Sequence, residues 1–516
     1  MEGLLIPLLA VTADLRSGFD KPTLKLAPCL FTMTSSTWII LGNIERERPV
    51  YTPRRVPNLV ATTNNDTTSP IHITQFPFET SFLYSRPPKL CTTVVLYNGK
   101  MLAPSKVDLA DFGVSPRNGF LPDHQPCEYL SDPYYACWES IMADLPSLLN
   151  KGYLRSRVDE LPVLSISHLK QPGEGEGRRA YMILSFLTHA YIWEAGGPSE
   201  RLPPAISVPF LEISSYLSLP PTATYAALNL WNFKSSSLTQ DFTRIDQLRS
   251  LHTFTGTEDE EWFYLISVAI EAHGAQIIPV MLNAIEAAQT DNSHIILAAF
   301  IKFGFCVREI GLLLKRMNER CSPDIFYNRI RPFLAGSKNM AAAGLPNGVF
   351  YDEGEGRGEW RMYSGGSNAQ SSLIQFFDIV LGVEHKPTGG VKGPTNGFLS
   401  EMRNYMPGPH RAFLTHMSQI SNLRAYADNS LIPEVLEAFN FAVIELEKFR
   451  DIHIQIVTRY IITPSTKAAP NSGGGLNLAI ASSAKKDTKG LHGTGGTELL
   501  PFLRQSRDET RYTALD

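Results

Sequence analysis

"FRDIHIQIVTRYI", residues 449–461, closes the longest helical pattern in this chain of 516 residues and decides how the rest is interpreted. Across it and the residues before it, one set of positions recurs every three or four residues and so shares a helix face: Leu436, Phe439, Val443, Leu446, Phe449, His453, Ile456 and Tyr460. His453 interrupts this apolar face, and Arg450 precedes it by about one turn. Such a histidine is either a hydrogen-bonded core residue or a metal or haem ligand. Periodicity leaves both interpretations open.

The composition is that of an ordinary soluble globular protein, with 43% hydrophobic and 19% charged residues. The formal net charge of -4 gives no electrostatic signature of a protein that binds nucleic acid or an anionic membrane. The six cysteines show no CxxC spacing, which argues against a zinc site or a disulfide framework and fits a reducing compartment. The early apolar run Gly3–Val11 is too short to span a bilayer and lacks a basic flank. We therefore expect a cytoplasmic protein.

The chain is longer than one hydrophobic core usually supports, so more than one domain is expected. Residues 1–106 are rich in Thr, Ser, Pro and Arg without a sustained period, which predicts a poorly ordered or spurious extension. Beyond them, the spacing of apolar residues predicts helices over 134–161, 180–195, 259–274, 276–290, 294–318, 322–335, 370–382 and 432–462. Residues 207–231 are interpreted as a proline-punctuated connector into a short helix, and residues 344–372 as a Gly- and Glu-rich loop. Residues 463–498 are interpreted as a mobile, lid-like loop.

Five long motifs occur in an order shared with a known family: "LRSRVDELPVLSISHL" (154–169), "GGSNAQSSLIQFFDIVLGVEH" (365–385), "MRNYMPGPHRAFL" (402–414), "DIHIQIVTRYI" (451–461) and "GTGGTELLPFL" (493–503). Over about residues 107–512 the chain resembles the indoleamine 2,3-dioxygenase family, in its fungal type. The resemblance implies a mainly α, two-domain haem dioxygenase fold. A small N-terminal domain over residues 107–254 would cap the pocket, and a large all-α domain over residues 255–516 would hold the haem.

The resemblance also implies an enzyme with haem b as cofactor and O2 as co-substrate. The family inserts both atoms of O2 across the indole C2–C3 bond of L-tryptophan to give N-formylkynurenine, the first step of the kynurenine pathway and of NAD synthesis from tryptophan. The expected partners are a small-molecule substrate, L-tryptophan or another indoleamine, and an unidentified reductant. The expected state is a monomer, with no nucleic acid and no membrane bound.

Three residues match the haem-binding side of the family. His453 matches the proximal histidine, whose neutral imidazole on iron would leave the sixth position for O2. Asp378 and Arg450 match an acidic and a basic residue on the proximal side, and the resemblance implies that they pair near a haem propionate. An ordinary buried ion pair would also account for these two residues.

The residues that match the family's substrate pocket are Tyr225, Phe263, Ser267, Phe326, Arg331, Gly366, Ser367 and Thr494. Of these, Ser267, Phe326 and Arg331 are expected to act in catalysis by positioning the substrate. Phe326 would stack near the indole and Arg331 would bind the amino-acid carboxylate, while Thr494 in the mobile loop would reach the ammonium group. Spacing does not establish the joint role of Phe326 and Arg331, because five residues on an ideal helix are about 140° apart.

Three positions depart from the animal pattern of the family: Leu228, Asn229 and Asn368. They leave the reaction class unchanged but bear on the shape of the pocket. They motivate an alternative, a haem-binding protein of the same fold with weak or no tryptophan dioxygenase activity that responds to haem or redox state. A third interpretation is a helical scaffold without a cofactor.

Overall fold

The computed structural model describes residues 107–170, 174–237, 239–386, 397–467 and 499–516, together with two short strands before them. Residues 92–516 form one compact unit. The extension predicted over residues 1–106 and the loop predicted over residues 463–498 lie almost entirely outside the described residues. The division predicted at residue 254 stays a prediction.

The fold is mainly α, as the sequence predicts. In the described part of the chain the helices are α1 (Ala136–Lys151), α2 (Leu154–Asp159), α3 (Gly175–Trp193), α4 (Pro204–Leu217), α5 (Glu258–Gly274), α6 (Ile277–Gln289), α7 (Ser293–Lys315), α8 (Met317–Arg320), α9 (Pro323–Ile325), α10 (Arg331–Leu334), α11 (Ser372–Leu381), α12 (Phe398–Met402), α13 (Gly408–Ile420), α14 (Leu423–Asp428), α15 (Pro433–Val457), α16 (Thr463–Lys467) and α17 (Leu499–Arg511). The strands are β1 (Leu96–Tyr97), β2 (Lys100–Met101), β3 (Arg201–Leu202), β4 (Phe233–Ser235), β5 (Leu248–Ser250), β6 (Val349–Gly354) and β7 (Arg357–Arg361).

The segment interpreted as a proline-punctuated connector is helical over its first half, so that interpretation was wrong there. The buried residues of α4 recur at helical spacing and pack toward α3: Ile206, Phe210, Ile213 and Leu217. Pro204 occupies the first helical position, where its missing N–H would have no partner in any case. Pro209 lies inside the helix. Burial of the apolar stripe therefore outweighs the cost of one internal proline.

The Gly- and Glu-rich segment also differs from its interpretation as a loop, because β6 and β7 form an antiparallel hairpin within it. Glu355 and Gly356 turn the chain with φ of 54° and 76°. Two-residue hairpin turns need this left-handed conformation, and glycine adopts it at no steric cost. Strand β3 pairs in parallel with β6. This small sheet therefore joins segments on both sides of the predicted domain boundary.

Three π-turns interrupt the regular helices: Ala226–Leu230, Phe326–Ile330 and Thr458–Ile462. In the second, the N–H of Arg331 donates to the oxygen of Phe326, and in the third the N–H of Thr463 donates to the oxygen of Thr458. Both donors are directly followed by a proline, Pro332 or Pro464. Proline has no N–H to donate and clashes with the carbonyl four residues earlier, so a widened turn before it relieves that conflict.

Helices α7 and α15 pack closely along their length and thereby position His453. Gly304 and Gly311 lie two turns apart on α7 and face α15. A β-carbon at Gly304 would overlap the ring of Phe441, and one at Gly311 would lie 3.0 Å from Cδ1 of Ile452, the residue before His453. The absence of side chains at these two positions therefore allows the approach of the helix that carries the histidine.

Helices α5 and α6 together form a stretch, Glu258–Gln289, that is long and apolar enough to cross a membrane by length and composition. The apolar window of this stretch is 72% buried inside the protein. Such burial is typical of a core helix, and α5 supplies one wall of the site described next.

Candidate active site

Two adjoining cavities meet at His453. Their shared wall consists of Tyr225, Leu314, Asn368, Ala369, His453, Phe502 and Leu503. The first cavity, called the distal cavity below, brings together most of the predicted substrate residues: Tyr225, Phe263, Phe326, Arg331, Gly366 and Ser367. The second, called the inner cavity, contains Ser267 and Arg450. Thr494 lies outside the described residues.

His453 projects from α15 into both cavities, and its ring is partly buried. Burial and the positive charge of Arg450 lower the pKa of His453 to about 4, so the imidazole is neutral at pH 7. Within the described part of the chain, no residue hydrogen-bonds to its ring. A core histidine would satisfy its ring nitrogens, as His189 does with the Phe333 oxygen and the Thr222 hydroxyl. His453 therefore differs from His189, because its ring receives no hydrogen bond from the described residues.

The predicted pair of Asp378 and Arg450 is present and buried. Arg450 Nη2 donates to both carboxylate oxygens of Asp378, at 2.7 and 2.8 Å, and Nη1 donates to the Thr510 hydroxyl. Burial alone would raise the pKa of Asp378, but the charges of Arg450 and His385 outweigh it and lower that pKa. The carboxylate is therefore ionised, and it fixes the guanidinium one turn from His453.

Sequence reasoning missed the third partner in this network, His385. Its Nε2 lies 3.1 Å from Asp378 Oδ2, and its Nδ1 lies 2.7 Å from Oε2 of Glu509 on α17. Burial opposes protonation, but Asp378 and Glu509 together raise the pKa of His385. This charged bridge attaches α17 to α11, and α17 in turn contributes Phe502 and Leu503 to the cavity walls. A histidine close to a recognised motif was the available signal, but its partner lies 124 residues away.

The π-turn Phe326–Ile330 resolves the geometry that helical spacing left open. The hydrogen bond from the Arg331 N–H to the Phe326 oxygen widens this turn, and both side chains border the distal cavity. The Arg331 guanidinium is 1% exposed, and burial lowers its pKa to about 10, which still leaves it charged at pH 7. A charged guanidinium in an apolar wall is a suitable anchor for a substrate carboxylate.

Three aromatic rings form the apolar part of the distal cavity. Phe263 and Phe326 have their ring centroids 5.0 Å apart, and Phe326 meets Tyr460 edge-on at 5.7 Å. The Tyr460 hydroxyl donates to the Cys321 oxygen at 2.8 Å, which turns its hydrogen away from the cavity. Such a wall is suited to a planar apolar ring such as indole.

Tyr225 is held by a buried carboxyl group that sequence reasoning missed. Its hydroxyl donates to Oε1 of Glu271 at 3.0 Å, and the Ser371 hydroxyl donates to the same oxygen at 2.6 Å. Burial raises the pKa of Glu271 to about 7, against the opposing effect of these two hydrogen bonds. Glu271 lies four residues after Ser267 on the apolar α5, and an acidic residue at that spacing was a signal for this role.

The glycine loop before α11 approaches the π-turn Ala226–Leu230 closely. A β-carbon at Gly366 would lie 2.5 Å from Cδ1 of Leu228, and one at Gly365 would overlap the backbone oxygen of Leu334. Ser367 accepts a hydrogen bond from the Ala369 N–H at 3.3 Å and borders the distal cavity. These glycines therefore allow the backbone to form a cavity wall.

The departures from the animal pattern all lie at the site. Leu228, Asn229 and Asn368 border the distal cavity. Asn229 is buried, whereas Asn368 is exposed. Their effect on the shape of the pocket stays a prediction.

The residues of the site fit haem better than a bare metal ion. Among the described residues, no group of three or more His, Cys, Asp or Glu is gathered as an ion-binding cluster. The site instead offers one neutral imidazole without a hydrogen-bond partner among those residues, apolar walls on both sides of it, and the cation Arg450 at the edge of the inner cavity. A planar apolar ring with carboxylate groups and an iron atom matches this combination.

Comparison with known proteins supports the family that the sequence motifs resemble. A family model described as indoleamine 2,3-dioxygenase matches residues 108–513. The chain is 44% identical over 419 residues to the indoleamine 2,3-dioxygenase nanC of Aspergillus nanangensis, covering 80% of this chain and 98% of the relative. It is 41% identical over 442 residues to the indoleamine 2,3-dioxygenase of Saccharomyces cerevisiae, covering 79% and 93%. It is 39% identical over 405 residues to the 6-hydroxytryptophan 2,3-dioxygenase fscD of Fusarium equiseti, covering 78% and 96%.

Proposed function

This chain belongs to the indoleamine 2,3-dioxygenase family of oxidoreductases, and we propose that its substrate is L-tryptophan. The proposed reaction inserts both atoms of O2 across the indole C2–C3 bond and gives N-formylkynurenine. The observation that carries the proposal is His453, a neutral imidazole between an aromatic cavity with a buried arginine and a second cavity bordered by Arg450. The relatives named indoleamine 2,3-dioxygenase support the same reaction class.

Haem b is the proposed cofactor. His453 would bind its iron, and Arg450, oriented by Asp378, would pair with a propionate carboxylate. When bound, haem supplies the iron that activates O2. Arg450 also keeps His453 neutral, and only the neutral imidazole has a lone pair available for iron.

The chain's own part in the reaction is to bind and orient the substrate. Arg331 would hold the amino-acid carboxylate, and Phe263 and Phe326 would enclose the indole ring. Tyr225 and Ser267 would complete the wall, with Gly366 and Ser367 on the opposite backbone loop. Thr494 would contact the ammonium group from the loop before α17. Enclosure of the substrate excludes water from the reacting atoms, and no side chain is needed as a strong base.

A second candidate function is that of a haem-binding protein with weak or no dioxygenase activity. The buried amide of Asn229 in an otherwise apolar wall favours it, because a polar group there weakens the complementarity to an unsubstituted indole. A scaffold without a cofactor is the third possibility. Both differ from the main proposal in what the purified protein does with haem and tryptophan.

The deciding experiment measures N-formylkynurenine by absorbance after haem reconstitution, with ascorbate and methylene blue as reductants. Turnover of L-tryptophan is expected for the wild type. A Soret band without product would establish the haem-binding alternative, and the absence of a Soret band would contradict both haem proposals.

The pathway, the oligomeric state and the cellular location of the protein are also proposals. The reaction would begin the kynurenine route and the synthesis of NAD from tryptophan, with an external reductant keeping the iron ferrous. A monomer in the cytoplasm fits the free cysteines of the described residues, Cys127, Cys137, Cys306 and Cys321, since a reducing compartment keeps thiols unpaired. Size-exclusion chromatography and localisation of a tagged chain test these two points.

A further inference from the structure

Asn229 borders the distal cavity and carries a hydrogen-bond acceptor that is unsatisfied among the described residues. The side chain lies in the π-turn Ala226–Leu230 and is 4% exposed. Its Nδ2 donates to the backbone oxygen of Tyr225 at 3.2 Å. Its Oδ1 has no hydrogen-bond partner among the described residues. Buried acceptors in folded proteins are nearly always satisfied, so this oxygen points to a donor that arrives from elsewhere.

The orientation of this amide is fixed by its surroundings. The Tyr225 oxygen can only accept, so the nitrogen of the amide must face it and the oxygen must face away. The turn that carries the amide is itself anchored, because Asn232 Nδ2 donates to the Leu228 oxygen at 3.2 Å and to the His252 oxygen at 2.9 Å. The N–H of Tyr225 donates to Oε1 of Gln370 at 2.8 Å. Asn229 therefore presents its oxygen from a rigid support.

The two tyrosine hydroxyl groups of the cavity wall already donate to other groups. The Tyr225 hydroxyl donates to Glu271, and the Tyr460 hydroxyl donates to the Cys321 oxygen. Arg331 is a cation suited to a carboxylate, and the wall next to Asn229 is formed by the apolar Leu228. A donor that satisfies Asn229 must therefore belong to the part of the substrate that lies among apolar side chains, which is its ring.

We infer that Asn229 is a specificity-determining residue whose Oδ1 accepts a hydrogen bond from a hydroxyl group on the indole ring. The preferred substrates are then ring-hydroxylated tryptophans. This inference rests on the proposed function, since it assumes that an indole ring occupies the distal cavity. The six-membered ring of tryptophan carries only C–H groups, which leave a buried amide oxygen unsatisfied, whereas a ring O–H restores its hydrogen bond.

The test compares three substrates with three proteins. The kcat/KM values for L-tryptophan, 5-hydroxy-L-tryptophan and 6-hydroxy-L-tryptophan are measured with the wild type, Asn229→Leu and Leu228→Met. Asn229→Leu keeps the approximate side-chain shape and removes the acceptor. For at least one hydroxytryptophan, its preference over tryptophan is expected to fall about tenfold in Asn229→Leu. Leu228→Met, also in the wall, is expected to leave this ratio unchanged.

Because the ratio is taken within one protein, a loss of folded enzyme cancels from it. An unchanged ratio in Asn229→Leu would overturn the inference. So would an equal loss for all three substrates, which would show that the oxygen accepts from the indole N–H that they share. Equilibrium dialysis of the same three compounds with the haem-loaded proteins tests the same preference as a ratio of dissociation constants, without turnover. A failure of the proposed reaction is therefore distinguishable from a failure of the inference.

Discussion

On one side of His453, Asp378, Arg450 and His385 are joined by buried ionic hydrogen bonds, and the pKa of each titrating partner moves toward its charged form. At the Tyr225 wall, the carboxyl group of Glu271 is also buried, and burial raises its pKa to about 7, since its partners are neutral hydroxyl groups whose hydrogen bonds offset this rise only in part. The difference lies in what each side must hold. A fixed charge beside the histidine suits an anionic cofactor edge, whereas a neutral wall suits an apolar ring.

The largest expected effect comes from breaking the charged side. Arg450→Met leaves Asp378 buried with His385 as its remaining cation, so we expect the free energy of unfolding to fall by about 3–5 kcal/mol. Urea unfolding of the haem-free protein measures this. Arg507→Met is the matched control, because Arg507 pairs with Asp451 and Asp508 near the surface, and about 0–1 kcal/mol is expected there. Equal losses in the two variants would remove the basis for the comparison.

Among substitutions in the substrate cavity, the largest loss of activity is expected at Arg331. Arg331→Ala removes a buried cation, and the loss of its charge-assisted hydrogen bonds is expected to lower kcat/KM for tryptophan about 100-fold. Steady-state kinetics with a Soret measurement on the same samples separates this loss from a loss of haem. Arg329→Ala, at an exposed position two residues earlier, is expected to retain the wild-type value. An unchanged KM and kcat in Arg331→Ala would show that the carboxylate binds elsewhere.

A smaller effect is expected at Glu271. Its pKa in the folded protein lies above the ordinary value of 4.5, so folding favours the protonated form and stability is lost as the pH rises from 4.5 through about 7. Glu271→Gln cannot ionise and should not show that loss, which unfolding measurements at pH 5 and pH 7.5 would detect. Glu258→Gln, at the exposed start of the same helix, should keep the wild-type pH dependence. The same pH dependence in Glu271→Gln as in the wild type would contradict this account of the neutral wall.

The smallest effect is expected at His385, and it falls in a different pH range. Since the pKa of His385 is raised, its contribution to stability is complete below pH 6.5 and is lost as the pH rises through the folded value. His385→Gln should remove this loss above pH 6.5 and should speed hydrogen exchange in α17, which His385 connects to α11 through Glu509. Unchanged hydrogen exchange in α17 would show that the bridge from Asp378 through His385 to Glu509 does not stabilise this helix.

The regular helices of this fold could be predicted from the sequence, and the irregular parts of the site could not. The stripe from Phe439 to Tyr460 follows a period that burial confirms. The π-turn at Phe326–Ile330 adds one residue to a regular helical turn. Through this turn Phe326 and Arg331 both border the distal cavity. Pro332 marked the position, but a proline alone does not determine how the turn before it widens.

The hydrogen-bond networks that support the site could not be predicted from the sequence either. Asp378 and Arg450 could be paired in advance only because they lie in motifs of a known family. His385 meets Glu509 across 124 residues, and Tyr225 meets Glu271 across 46, separations at which one sequence carries no pairing signal. Burial of Pro204–Leu217 likewise overrode Pro209, one of the prolines that suggested a connector. Tertiary packing decided each of these cases.

The central claim is that His453 binds haem iron between the charged and the neutral side. Haem titration followed by the Soret band, in the wild type, His453→Ala and His294→Ala, tests it most directly. We expect the wild type and His294→Ala, which changes an exposed histidine, to form the same band, and His453→Ala to lose it until imidazole is added. If His453→Ala bound haem with the affinity and spectrum of the wild type, the claim would be contradicted.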